Sequence, residues 1–311
     1  MHAGWREYLK QRLKTPSKFY SIGLEFGDDS IQVSVLNDDK QNITWVKQHL
    51  LPAHDWQKHL QNYVSQESLT NTPCHVVLSP SKYQIQQVEK PQVSDDELAQ
   101  ALVWSVKDLM PNQDEIVVDY FELPVQSAGA NKVNVVALAK DKVEELTDGI
   151  LHAGLELKSI SILELIMADI VESSDDAILT LVQESGQEIC LNIIKHGQVY
   201  FSRRLRGYEN LPTFSEEELQ MGVGDNLSVE IQRSMDYFES QLRQAPVKKI
   251  LLAIESPHLD KLAQMMQQLT FMTVEPIHVE VPHVEGLTYR SSFIGSLGAA
   301  FVQKNGIANE N

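Results

Sequence analysis

Apolar and polar positions follow the same scheme in two separated stretches of the chain, residues 19–50 and 177–205. Each opens with an apolar run and turns at a polar loop that contains a glycine, Gly27 in the first and Gly186 in the second. Each continues with an alternating run, turns again (Asn37-Asp38-Asp39, His196-Gly197) and adds a third run. Turn residues between short period-two segments predict consecutive β-hairpins. Two such units about 160 residues apart predict a duplicated, two-lobed α/β fold. A tight first turn exposes backbone N–H groups, so each could approach a phosphate.

The rest of the pattern fills in the lobes. Trp56, Leu60 and Tyr63 share one face of a helix predicted over 54–64, and strands follow at 74–79 and 83–89. Ser94 and Glu97 have capping-box spacing and open a helix that runs to Met110, where Pro111 stops it. Strands at 116–123 and 132–139, a helix at 140–153 ended by Gly154, a strand at 155–160 and a helix at 162–171 come next. The run helix–strand–strand–helix–strand between 94 and 160 predicts a small α+β insert with its own core. The polar stretch 172–176 reads as a joint.

Beyond the second unit, Ser215 and Glu218 form another capping box, and Gly222 and Gly224 break that helix. Leu227, Ile231, Met235, Phe238 and Leu242 then mark the core face of a helix over 226–243. A strand at 249–254, a helix at 258–270, a strand at 272–281 and a small-residue helix at 292–303 complete the pattern. The expected organisation is a basic extension 1–18, first lobe 19–91, insert 92–160, first-lobe helix and hinge 161–176, second lobe 177–290, and C-terminal helix with polar tail 291–311.

Composition narrows the function classes. A length of 311 residues with 42% hydrophobic and 22% charged residues is ordinary for two packed lobes. A net charge of −17 argues against nucleic-acid binding, which needs a basic footprint. Cys74 and Cys190 lie in apolar runs and read as buried thiols. No apolar run is long enough to cross a membrane, and the start MHAGWREYLKQRLK lacks the apolar core of a secretory signal. Residues 1–18 are basic, with Trp5, Leu9 and Leu13 on one helical face. Such a helix lies on an anionic membrane or docks on its own domain; one short stripe favours docking. His49, His54 and His59 do not align on one helical face and read as solvated rather than as zinc ligands. No serine has a positioned base, so no catalytic residue and no metal site is expected.

Five segments carry a family resemblance: IGLEFGDDSIQVSVL (22–36), SDDELAQALVWSVKDLMPNQDEIVVDYFELP (94–124), LTLVQESGQEICLNIIKHGQVYFSRRL (179–205), LSVEIQRSMDYFESQ with KKILLA (227–241, 248–253), and SLGAAF (296–301). The chain resembles the PilM-like type IV pilus assembly proteins of the actin-like ATPase superfamily. It is most similar to the MshI-type members that serve the mannose-sensitive haemagglutinin (MSHA) pilus.

The resemblance implies two lobes with a nucleotide, Mg-ATP, between them. Its phosphates would rest on Gly27, Asp28, Asp29 and Ser30 and on Ser185 and Gly186, with the purine and ribose near Glu230, Arg233, Ser234 and Glu255. Here the patterns depart from the family. Glu25 replaces an Asp two residues before Gly27, and Gln183-Glu184-Ser185 replaces an Asp-x-Gly. The glycines expected after KKILL are Ala253-Ile254-Glu255-Ser256. Mg²⁺ geometry is demanding and a carboxylate repels phosphate, so the resemblance predicts a degenerate site without hydrolysis.

The resemblance further implies a cytoplasmic scaffold, peripheral to the inner membrane, that joins other pilus platform proteins. It would bind the cytoplasmic tail of a PilN-like bitopic protein in a groove walled by Tyr83, Ile85, Leu102 and Val106. The alternatives are an ATP-binding switch and an actin-like filament former.

Overall fold

The computed structural model describes residues 17–38, 42–107, 115–127, 129, 131–279 and 281–306. Residues 1–16 of the expected basic extension 1–18, the helix stop at Met110-Pro111 and the end of the polar tail lie outside the described residues.

Three sheets organise the chain. The first has the order β3-β2-β1-β4-β8, from β1 (Ser21–Phe26), β2 (Ser30–Asp38), β3 (Ile43–Pro52), β4 (Pro73–Leu78) and β8 (Glu156–Ile162). The second has the order β11-β10-β9-β12-β13, from β9 (Ile178–Gln183), β10 (Ile189–Lys195), β11 (Gln198–Leu205), β12 (Lys249–Ile254) and β13 (Thr273–Pro276). In both, an antiparallel three-strand meander continues into two parallel strands. The expected duplication is therefore one of topology.

The third sheet is small, β5-β7-β6, from β5 (Gln84–Glu89), β6 (Ile116–Phe121) and β7 (Lys132–Ala139), all antiparallel. Helix α2 (Asp95–Val106) closes its core through Leu98, Leu102 and Val106 against Val133 and Val135. These pairings revise the expected boundaries. Strand 84–89 belongs to the small sheet, whereas α3 (Lys140–His152) and β8 return to the first lobe, β8 as the parallel neighbour of β4. The insert thus runs from β5 to β7. Helix α3 packs on the first lobe with α1 (Trp56–Gln66), placing Leu146 and Ile150 beside Leu60 and Val64.

Strand alternation sets the layers. Leu179 and Leu181 point to a core with α5 (Gly224–Ser240) and α6 (Leu259–Thr270), through Leu227, Ile231, Phe238 and Met266. Ile178 and Val182 point the other way, to a central layer with α4 (Leu163–Ile170) and α7 (Ile294–Gly306). Both β1 and β9 are covered on both faces and buried along their length, including Glu25, Thr180 and Gln183.

The C-terminal helix does not extend the second lobe. It lies on β1, so close that a Cβ added at Gly23 would fall 1.8 Å from the Ser296 carbonyl oxygen. Glycine there, and Gly298 against Ile166 and Ile170, allow a backbone-close approach that side chains would prevent. Ser21 Oγ donates to the Ala300 carbonyl at 2.6 Å, and Ser34 and Ser296 meet at 2.9 Å.

Two local expectations change. Ser215 and Glu218 form the expected capping box, but Ser94 Oγ bonds the Glu97 carboxylate at 3.0 Å instead of a backbone amide. The strand expected over 272–281 pairs only through β13 among the described residues, with the Ile277 N–H donating to the Leu252 carbonyl at 2.8 Å at its end.

Candidate functional site

The first turns of the two meanders face one another across the interlobe cleft. Gln187 Nε2 donates to Asp28 Oδ2 at 2.6 Å, which joins the turns directly. Lys82 Nζ and Ser81 Oγ hold Asp28 Oδ1 at 2.6 and 3.0 Å. Burial works against the Asp28 carboxylate, but these three donors outweigh it and keep its pKa below the usual range. Behind them, Ser79 Oγ donates to Glu184 Oε2 at 2.7 Å, and that oxygen lies 3.3 Å from the place of a Gly27 Cβ.

Glu25 is fully buried and faces two ways. Its Oε2 accepts the Ser296 N–H at 3.2 Å, at the amino end of α7, where backbone N–H groups lack intrahelical acceptors. Its other neighbour is Glu184, within hydrogen-bonding reach. Burial first, and then Glu184, raise the Glu25 pKa well above the usual carboxylate range, against the lowering by the Gly295 and Ser296 amides. A Glu25 carboxyl kept neutral can donate to Glu184. Gly295 is required beside it, since a Cβ would lie 2.4 Å from the Glu25 carboxyl carbon.

The turn amides are engaged internally. Gly27 N–H donates to the Ser30 carbonyl at 3.0 Å, Gly186 N–H to Glu209 at 3.2 Å and Gln187 N–H to Glu184 at 3.1 Å. Gly186 sits at φ 80, a glycine conformation, while Asp29 and Ser185 are exposed. Glu255 approaches from the end of β12. Desolvation and then Glu184 raise its pKa, and Arg290 offsets part of this.

Three of the four residues expected near a purine, Glu230, Arg233 and Ser234, are bonded to each other. Glu230 receives Arg203 at 2.6 Å and Arg233 at 2.8 Å, and Ser234 Oγ donates to the Glu230 carbonyl at 2.9 Å.

The expected peptide groove is only partly borne by the geometry. Leu102 and Val106 are wholly buried in the core of the insert and cannot wall a groove: helix α2 turns its apolar face onto the small sheet. Tyr83 is also buried, its hydroxyl on the Glu164 carboxylate. Ile85 does line an open space, a cavity of about 420 Å³ between β5 and β11. Arg203, Arg204 and Arg206 line it too, and the sequence reading missed them. Their signal was present: three arginines within four positions, in a chain of net charge −17.

Around that cavity, Arg204 links three bodies. Its Nη1 donates to the Pro80 carbonyl at 2.6 Å, its guanidinium lies 4.7 Å from the centre of the Tyr83 ring, and its Nη2 stands 3.7 Å from Glu164 Oε1. Among the described residues no cluster of His, Cys, Asp and Glu could hold a metal ion, and no helix is long and apolar enough to cross a membrane. His54 and His59 meet edge to face, and His49 stacks on Tyr63.

No family model matches the chain, and no curated protein sequence matches it. Solved structures do. The PilM–PilN type IV pilus biogenesis complex aligns over 92% of this chain and 98% of its own, with a TM-score of 0.65 at 16% identity. A protein of Bacteroides thetaiotaomicron with an actin-like ATPase fold aligns over 84% and 91%, with a TM-score of 0.50 at 13% identity. The fold is that of the actin-like ATPases. The cytoplasmic domain of EpsL, an inner-membrane component of the type II secretion system of Vibrio cholerae, is similar over 89% and 93%, with a TM-score of 0.50 at 12% identity. In this actin-like fold the interlobe cleft is bridged by side chains from both turns, and the amides of Gly27, Gly186 and Gln187 have carbonyl acceptors.

Proposed function

We propose that the chain is a non-enzymatic scaffold of an inner-membrane assembly platform, of the PilM-like kind and within it of the MSHA pilus type. It would work in the cytoplasm at the membrane face and bind the cytoplasmic tail of a PilN-like bitopic partner. The observation that carries this reading is the end-to-end correspondence with the PilM–PilN complex, at a TM-score of 0.65. The similarity to the EpsL domain, from another inner-membrane machine, supports the same class of role.

The degenerate nucleotide site is part of the proposal. A phosphate needs unengaged N–H donors, and those of Gly27, Gly186 and Gln187 already have carbonyl acceptors. It would also meet Glu25, Glu184 and Glu255, three carboxyl groups converging on the cleft. Retaining the fold while filling the cleft suits a protein that holds partners in place.

Two measurements test it together. The tail of the membrane partner, immobilised, should retain the purified chain. Calorimetric titration with Mg-ATP should give no heat and no thermal shift at about 1 mM, where a micromolar ligand would stabilise the protein by roughly 4 kcal/mol. Micromolar Mg-ATP binding would replace the scaffold by a nucleotide-dependent switch. Failure to retain the chain on the tail would remove the pilus partner.

A further inference from the structure

A second cavity, of about 860 Å³, opens at the amino ends of β9 and β12, at the opposite ends of those strands from the turns. Ile178 and Leu251 reach it from β9 and β12, and Val281 from the segment after β13. Ile170 reaches it from α4 and Phe301 from α7, the helix that lies on β1. Both lobes therefore supply apolar wall. The charged residues that line it are mostly acidic: Asp169, Glu172, Asp176 and Glu275 against Lys248 and Lys249. Lys249 Nζ is held by Glu275 at 2.7 Å, while Glu172 and Asp176 are exposed. An apolar space of this size with a few charged groups is typical of binding sites.

The first described residues of the chain start beside this cavity. Tyr20 belongs to the apolar cluster that includes Val281 and Phe301, and Ser17 Oγ meets Thr72 Oγ1 at 2.7 Å. Residue 16 is separated from Tyr20 by at most about 14 Å of extended chain. Residues 1–16 place Trp5, Leu9 and Leu13 on one face at helical spacing. They also carry Arg6, Lys10, Arg12 and Lys14 against Glu7, an excess of positive charge where the cavity has an excess of negative. As a helix the segment would span about 24 Å, long enough to cross the opening.

We propose that residues 1–16 dock in this cavity of their own chain. Trp5, Leu9 and Leu13 would face Ile170, Ile178 and Phe301, and the basic side chains would lie on Glu172 and Asp176. The docked segment would touch both lobes opposite the bridged cleft and brace them there. An anionic membrane is the other surface that suits a basic amphipathic segment. The cavity is favoured because a tethered segment meets it at a high effective concentration. The inference does not depend on the scaffold reading.

The test uses the full chain with Leu9→benzoylphenylalanine, irradiated at high dilution and mapped by mass spectrometry. Cross-links should form within the chain, to residues 169–178, residues 276–281 or Phe301. Glu172→Lys combined with Asp176→Lys, both at exposed positions, should lower the cross-linked fraction about fivefold, as expected for two reversed charge pairs. A second measurement needs no variant. Tryptic cleavage after Lys10 in the unmodified chain, relative to the free peptide 1–16, should quicken severalfold as salt is raised and the charge pairs are screened. Cross-links between chains, cross-links away from the cavity, or cleavage as fast as in the free peptide at low salt would each overturn the proposal. Flotation of the unmodified chain with vesicles of phosphatidylglycerol and phosphatidylcholine, abolished by Leu9→Ser, would overturn it in favour of a membrane.

Discussion

The two clefts of this molecule differ in lining and in state: one carries carboxylates and is bridged, the other carries arginines and is open. Between the lobes, Asp28 has Lys82, Ser81 and Gln187, and Glu184 has Ser79 and Glu25. Between β5 and β11, Arg203 and Arg204 keep buried donors without acceptors, and two strand edges stay unpaired. The difference is one of reach. The meander turns project toward each other, so short side chains meet across them. The strands β5 and β11 belong to separate sheets, and a cavity separates them. A site whose groups satisfy one another resists a ligand, whereas one with unmet groups gains by taking one.

The largest expected effect comes from removing the acid that Arg204 shares with Tyr83. Glu164→Ala should cost about 3 kcal/mol in urea denaturation, because a guanidinium with little solvent access loses its buried countercharge. A cost well under about 1 kcal/mol would mean that water reaches Arg204, and the open cleft would be wetter than its geometry implies.

Glu25→Gln sharpens the other side of the comparison. Glu25 titrates higher folded than unfolded, so its contribution is fully present below the unfolded pKa and is lost as pH rises through the folded one. Glu184, Glu255 and Arg290 are the charged groups facing it or its partner. Glutamine keeps an acceptor for the Ser296 amide and a donor for Glu184. The variant should therefore melt several degrees higher than wild type near pH 8 and nearly equal to it at roughly pH 4, close to the unfolded pKa. Equal melting at both values would mean that Glu25 does not donate to Glu184.

The smallest effect is expected at the turn-to-turn bond. Gln187→Ala removes one exposed hydrogen bond to Asp28 and should cost no more than about 1 kcal/mol. It should nevertheless speed hydrogen exchange in both turns, because the bond spans the lobes. Unchanged exchange would mean that the bond between the turns does not restrain them.

Much of the fold was legible because local rules agree with it. Alternation along 178–194 assigns Leu179, Leu181 and Leu191 to one layer and Ile178, Val182 and Cys190 to the other. The face Leu227, Ile231, Phe238 is the buried face of α5, and Ser215 caps as expected. The groove was misread because helix periodicity marks an apolar face without saying what covers it. Leu102 and Val106 are apolar for the small sheet that they pack on. The insert boundary was misread because strand 84–89 and strand 156–162 look alike locally, and only pairing separates them.

The sequence by itself determined the two meander units, the helices between them, and the presence of Glu25, Glu184 and Glu255 at the strand ends that meet at the cleft. These are properties of single positions and short periods. Only the tertiary structure decided that Glu25 meets Glu184 and the first amides of α7, that the C-terminal helix lies on β1, and that Arg203 and Arg204 face the edge of β5. Each of those is a contact between segments about 100 or more residues apart, and no local propensity specifies it.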